Sequence, residues 1–178
     1  MRPLEIIEKY YQKNTPLYEI LISHSISVAQ KAFQIIENIQ LDIDKKFVQE
    51  AAMLHDIGIF LTNAPSIHCF GTHNYIEHGY LGAELLRAEN LPKHALVCER
   101  HTGAGISLED IQNNNLPLPH CDFQPQTWEE KIICFADKFY SKTQLYEELP
   151  IEKIRANLSN HGQKPLEQFD QWASFFML

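Results

Sequence analysis

Residues 15–39 read Thr15-Pro-Leu-Tyr-Glu-Ile-Leu-Ile-Ser-His24-Ser-Ile-Ser-Val-Ala-Gln-Lys-Ala-Phe-Gln-Ile-Ile-Glu-Asn-Ile39. Leu17, Leu21, His24, Val28, Ala32, Ile35 and Ile39 recur at steps of three and four, the repeat of one helix face. Thr15-Pro16 supplies an N-cap and then proline at the first helical position. The stretch therefore predicts a long helix with a histidine in the middle of its apolar stripe.

The same repeat returns along the rest of the chain. Asp44 can cap a second helix carrying Phe47, Ala51, Leu54 and His55, which Gly58 is expected to end. Residues 61–75 have turn residues and no clean period, so they read as an excursion between helices. A third helix is expected over about 76–90, with His78, Leu81, Gly82 and Leu85 on one face, stopping before Leu91-Pro92. A fourth, over 92–101, places His94, Val97, Cys98 and His101 on a stripe. The stretch 106–126, with Asn113-Asn-Asn115, Pro117, Pro119 and Pro125, reads as a long loop with one short helix near 108–112; loops of this length often act as lids. Thr127-Trp-Glu-Glu130 is a capping-box pattern, opening a helix expected to run to about Glu148 with Ile133, Ala136, Asp137 and Tyr140 inward. Two shorter helices near 151–159 and 165–176 complete the pattern. No strand-length alternation, internal repeat or linker interrupts it, so the expectation is an all-α, single-domain helical bundle over residues 1–178.

Composition agrees. A length of 178 residues matches one domain against a prior of roughly 100–200 residues each, and 44% hydrophobic with 21% charged residues is ordinary for a globular protein. Fifteen Lys+Arg against 23 Asp+Glu give a net charge of −8, which disfavours binding to nucleic acid or to an anionic membrane surface. No stretch approaches about 18 consecutive apolar residues, and Glu5 and Glu8 interrupt the N-terminus, so a cytoplasmic location is expected. Cys69, Cys98, Cys121 and Cys134 show no C-x-x-C spacing and read as free thiols. No heptad seam indicates an oligomer.

The chain has nine histidines, and four of them fall on, or at the end of, apolar helix faces: His24, His55, His78 and His101. Asp56 adjoins one, and Asp137 sits inside Ile132-Ile-Cys-Phe-Ala136. Buried ionisable groups are costly unless paired, hydrogen-bonded or coordinating a metal. Imidazole and carboxylate together suit zinc, iron or manganese, and a set drawn from several helices of one bundle is a metal-site pattern.

The order His24, His55-Asp56, Asp137 resembles the HD superfamily of metal-dependent phosphohydrolases. His78-Gly-Tyr-Leu-Gly-Ala and Glu99-Arg-His101-Thr-Gly resemble its branch with a six-ligand binuclear site, including bacterial diadenosine tetraphosphate hydrolases. His55-Asp-Ile-Gly, Cys98-Glu-Arg-His-Thr-Gly-Ala-Gly and Ala136-Asp-Lys-Phe-Tyr-Ser-Lys142 are similar to small stand-alone HD proteins. The likeness covers about residues 17–145. It implies two divalent ions, iron or manganese foremost, with zinc, nickel, cobalt or magnesium also compatible. His24, His55, Asp56 and Asp137 would hold one ion and His78 and His101 the other, with Asp56 bridging. Cyclic-dinucleotide phosphodiesterases of the superfamily follow His-Asp-Ile-Gly with lysine and carry Gly-Tyr-Pro; this chain has Ile59-Phe60 and no such tripeptide, so that activity is not expected.

The implied activity is hydrolysis of a phosphate ester or anhydride of a nucleotide or another small phosphorylated metabolite. Two ions would also resolve how an acidic protein receives an anion. The alternatives are a mixed-valent di-iron oxygenase and a metal-bound regulatory domain. Lys138 and Arg100 are the nearest cationic candidates for catalysis and for clamping a phosphate, and Thr102 and His73 are candidate substrate contacts. His68 could line the site mouth, His94 could support His101, and Phe70, Tyr75 and Tyr140 could stack on a base.

Overall fold

The computed structural model describes residues 2–177. Its spine is α2 (Pro16–Asn38), 23 residues long and hence about 34 Å. Thr15 caps it by accepting the Tyr18 N–H, and Leu21, His24, Val28, Ala32 and Ile35 are buried as the stripe predicts. Before it lies α1 (Pro3–Tyr10), which buries Ile7 against α3. That helix was not expected. Its continuation matters, because the Tyr11 hydroxyl donates to the Ile57 carbonyl at 2.8 Å and ties down the turn after Asp56.

Next, α3 (Lys45–Leu54), capped by Asp44, packs on α2. Residues 59–77 contain three 3-10 turns, Ile59–Leu61, Pro65–Ile67 and Tyr75–Glu77. Between them β1 (Asn63–Ala64) pairs antiparallel with β2 (Cys69–Phe70). At two residues each, these strands are too short to leave an alternating pattern in the sequence. α4 (His78–Ala88) and α5 (Pro92–Arg100) form a closely packed antiparallel pair, and α6 (Leu108–Asn113) is the short helix expected inside the long loop.

Two expectations about α7 (Trp128–Asp137) are corrected. Thr127 does accept the Glu130 N–H, but the Glu130 carboxylate takes the Gln126 N–H and Arg100 instead of returning to Thr127. The helix also ends at Asp137, well before Glu148. Phe139 is drawn into the core against Phe135 and Phe169. Beyond it the chain loops back, so that the Leu149 N–H donates to the Phe139 carbonyl at 2.8 Å. Ser141-Lys-Thr-Gln144 offers no apolar residue that would reward continued helix.

α8 (Ile151–Ser159) and α9 (Gln163–Phe176) cover the outer side of α7, with Phe169 stacked on Phe135 at a centroid distance of 4.8 Å. Burying each such ring stabilises the fold by roughly 1.5–3 kcal/mol. Two apolar clusters result. One joins the later part of α2 with α3, α7, α8 and α9; the other joins α1, Leu21, Leu54, Ile57 and the α4–α5 pair. His24 lies between Leu21 of one and Val28 of the other, so the polar residues collect at the seam. No helix among the described residues is long and apolar enough to cross a membrane.

Candidate metal centre

Three of the four inward histidines occupy the same local position. His55 caps α3, His101 caps α5, and His78 caps the 3-10 turn that leads into α4. A helical turn leaves its last carbonyls without partners, and each histidine uses one. The Nδ1–H of His55 donates to Ala52 at 2.7 Å, that of His78 to Tyr75 at 2.6 Å, and that of His101 to Cys98 at 2.6 Å. Because a carbonyl only accepts, the proton is on Nδ1 in each ring, and every Nε2 is turned inward. His24 reaches the same place from the middle of α2, and Asp137 from the last residue of α7.

These atoms form two groups. His24 Nε2 lies 2.9 Å from Asp137 Oδ1 and 3.1 Å from Asp56 Oδ2. His55 Nε2 lies 3.2 Å from Asp56 Oδ2 and 3.4 Å from Asp137 Oδ1. On the other side of Asp56, Oδ1 is 3.3 Å from His78 Nε2 and 3.4 Å from His101 Nε2. The one carboxylate thus faces both groups, a different oxygen toward each, and the possible ligand atoms of each group lie within 4.8 Å of one another.

Charge explains what this arrangement is fit to hold. Burial drives the His78 pKa down to about 3 and lowers that of His101, so both rings are neutral. Their Nε2 lone pairs nevertheless face each other at 3.0 Å. Two lone pairs at that distance repel unless a cation lies beside them. His55 Nε2 and Asp56 Oδ1 are buried with no hydrogen-bond partner, as is His24 Nδ1. The donor set therefore fits divalent cations, with nitrogen and carboxylate oxygen as ligands. Burial opposes ionisation of Asp56, but Lys142 and His55 hold it well below the usual carboxylate range. Asp137 is likewise held well below that range, with Lys138 and His24 outweighing burial. Burial would depress His55, yet Asp56 and Asp137 raise it to about 9.

Lys142 was not singled out from sequence, yet it pairs with the aspartate that faces both groups. Its Nζ lies 2.7 Å from Asp56 Oδ2. It arrives from the loop that the expected long helix would have straightened. Lys138 and Lys142 both line a cleft that also takes in Asp137 and Tyr75, and Lys138 Nζ lies 2.7 Å from Asp137 Oδ2 and donates to the His101 carbonyl at 3.3 Å. Arg100 is not brought to this cleft. Its Nη1 donates to both Glu130 oxygens, at 3.3 and 3.1 Å, in a part-buried pair that joins α5 to α7. Thr102 abuts Gly79 between α4 and the end of α5, and His73 is exposed beside Glu77 at 3.2 Å. Neither lines the cleft. His94 packs on Phe47 and pairs with Glu50 instead of supporting His101. Tyr75 stacks on His78 at 4.7 Å, while Phe70 is exposed in the 61–75 excursion, at the rim of a different hollow.

The HD domain family model matches residues 21–141. The chain belongs to the HD family. That superfamily comprises metal-dependent phosphohydrolases, and its all-α fold is the one described above. This HD chain is 36% identical over 133 residues to the uncharacterised protein MJ0778 of Methanocaldococcus jannaschii, covering 72% of this chain and 71% of that one. It is also similar to two tRNA (cytidine(56)-2'-O)-methyltransferases. The match to that of Picrophilus torridus is 36% identical and covers 69% of this chain, and the match to that of Thermoplasma volcanium is 30% identical and covers 84%. Those matches take in only 32% and 38% of the methyltransferases. No solved structure matches the chain.

Proposed function

We propose that this HD protein is a phosphohydrolase acting on a phosphate ester or anhydride of a small phosphorylated metabolite, with nucleotides the foremost class. The observation that carries the reading is Asp56, fully buried, with one oxygen toward each of two histidine-containing groups. His24, His55, Asp56 and Asp137 would hold one divalent ion, and Asp56, His78 and His101 a second. Bound there, the ions would supply a water acidic enough to ionise near neutral pH and positive charge for the phosphoryl oxygens.

The chain's own residues do the rest. The carbonyl-locked imidazoles keep their geometry without reorganising, which is how preorganised sites lower a barrier. Lys142 enters from the cleft side, where its ammonium can hold a phosphoryl oxygen as charge builds there. Lys138 stands beside it, and the flanking cleft receives the leaving group. A net charge of −8 and a small cleft favour a metabolite over a tRNA as substrate.

Elemental analysis followed by phosphate release from a nucleotide panel with Mn²⁺ or Fe²⁺ tests this reading. Two metals per chain and turnover abolished by His55→Ala or Asp56→Ala are expected. Metal-replete protein that releases no phosphate, but consumes O₂ with a phosphonate or polyol, would overturn it in favour of oxygenase chemistry.

A further inference from the structure

The cleft outside the metal centre has a volume of about 500 Å³, within the usual span for small-molecule sites. Tyr75, Asp137 and Lys142, which touch the His/Asp groups, line it together with the exposed Lys153 and Asn157 of α8, a helix that packs chiefly on α9. Lys153 and Asn157 are one turn apart and so share a face, while Ile154 and Leu158 turn into the core at 2% and 5% exposure. Ala64, Ile67 and Leu149 add apolar wall to the same cleft.

The charge here runs against that of the whole chain. Carboxylates outnumber Lys+Arg by 23 to 15 overall, yet the charged residues lining the cleft are Lys138, Lys142, Lys153 and a single carboxylate, Asp137. Lys138 and Lys142 are matched by Asp137 and Asp56. Lys153 has no acidic partner among the described residues. An unmatched ammonium in a cleft that also reaches the His/Asp centre is an electrostatic complement to a second negative group.

We propose that Lys153 and Asn157 form a distal anion subsite, and that the substrate is an organic phosphate carrying a second phosphate or carboxylate at its far end. This rests on reading the His/Asp centre as the phosphoryl-binding end. Lys153 then selects doubly anionic substrates over neutral-tailed monoesters.

The test is calorimetric titration of Mn²⁺-loaded full-length protein with non-hydrolysable probes: an alkyl monophosphonate, alkylene bisphosphonates of three to six carbons, and the matching phosphonocarboxylates. At least one doubly anionic probe is expected to bind about five- to tenfold tighter than the monophosphonate, equivalent to about 1–1.4 kcal/mol, with the advantage shrinking as salt is raised. Bisphosphonate alone showing the gain would identify the second group as phosphate, and phosphonocarboxylate alone as carboxylate. Lys153→Ala should erase the preference and leave monophosphonate affinity unchanged, whereas Lys164→Ala, on another face, should leave both intact. Equal affinities for all probes, or a preference that survives Lys153→Ala, would overturn the subsite. A retained, Lys153-dependent preference in protein that hydrolyses no phosphate ester would overturn the hydrolase reading alone.

Discussion

Replacing Gly58 by alanine probes how the two halves of the metal centre are held together. A Cβ at Gly58 would lie 2.2 Å from the His78 carbonyl oxygen, 2.4 Å from the Gly82 nitrogen and 2.8 Å from the Gly82 Cα. All three are backbone atoms, so nothing can rotate aside. Restoring contacts of about 3.5 Å requires α4 to retreat by roughly 1 Å. Gly58 has φ −86°, a conformation alanine adopts freely, so the whole cost comes from the close approach. Overpacking of this kind costs about 1–3 kcal/mol, and a backbone-to-backbone clash belongs at the upper end. For a chain of this size about 3 kcal/mol lowers Tm by roughly 6–12 °C. Since α4 begins at His78, its retreat also draws Nε2 from its 3.3 Å separation to Asp56 Oδ1, and metal content should fall in parallel. Thermal unfolding by circular dichroism, with elemental analysis of the same samples, reads both. Gly82→Ala provides a milder comparison, because its Cβ would meet the Cys98 Sγ at 2.6 Å and the Gly58 nitrogen at 2.9 Å while alanine regains about 1 kcal/mol of helix propensity. A Gly58→Ala protein melting within about 1 °C of the parent, with its metal content unchanged, would refute the argument.

Glu130→Gln should lower the unfolding free energy in urea by about 2 kcal/mol, because it removes the main counter-charge of the partly buried Arg100, while monophosphonate affinity stays unchanged; weakened binding with full stability would return Arg100 to the substrate site. Cys121 is exposed, whereas Cys69, Cys98 and Cys134 are buried, with burial pushing Cys69 up to about 11 and Cys134 to about 12. A thiol-disulfide reagent at pH 8 should therefore modify one cysteine in native protein and four in denaturant, and rapid modification of several native thiols would contradict the packing described.

The helices were legible wherever an apolar face repeats over three turns or more, as in α2, and wherever a cap residue precedes it, as at Thr15 and Asp44. The four histidines and Asp137 were legible because each sits in or at the end of an apolar stretch with a group too costly to bury alone, and Asp56 only as the neighbour of His55. What escaped depended on the chain's return path. Lys142 reaches Asp56 only because α7 stops at Asp137, and that stop follows from Phe139 packing against Phe169, thirty residues later in the chain. Arg100 stood beside His101 in sequence, but neighbours on a helix diverge by about 100°, enough to send it to Glu130. Gly58 is expected from sequence to end the second helix; that helix stops earlier, at Leu54, and Gly58 is needed because another backbone lies against it. Gly82, placed on one face with His78, lies on the other side of that same contact.

The spread of the centre along the chain has a consequence for how the protein unfolds. His24 and Asp137 are 113 residues apart, and the described cysteines form no disulfide. An ion held between α2 and α7 would act as the chain's long-range cross-link, of the kind whose loop-closure benefit grows with the length enclosed. Because these ligands converge only when the helices have packed, the unfolded chain would have little affinity for the ion, and nearly all of its binding free energy would add to the stability of the folded state. Resistance to heat should then depend on the concentration of free metal, and a chelator would loosen the whole bundle as well as silence the site.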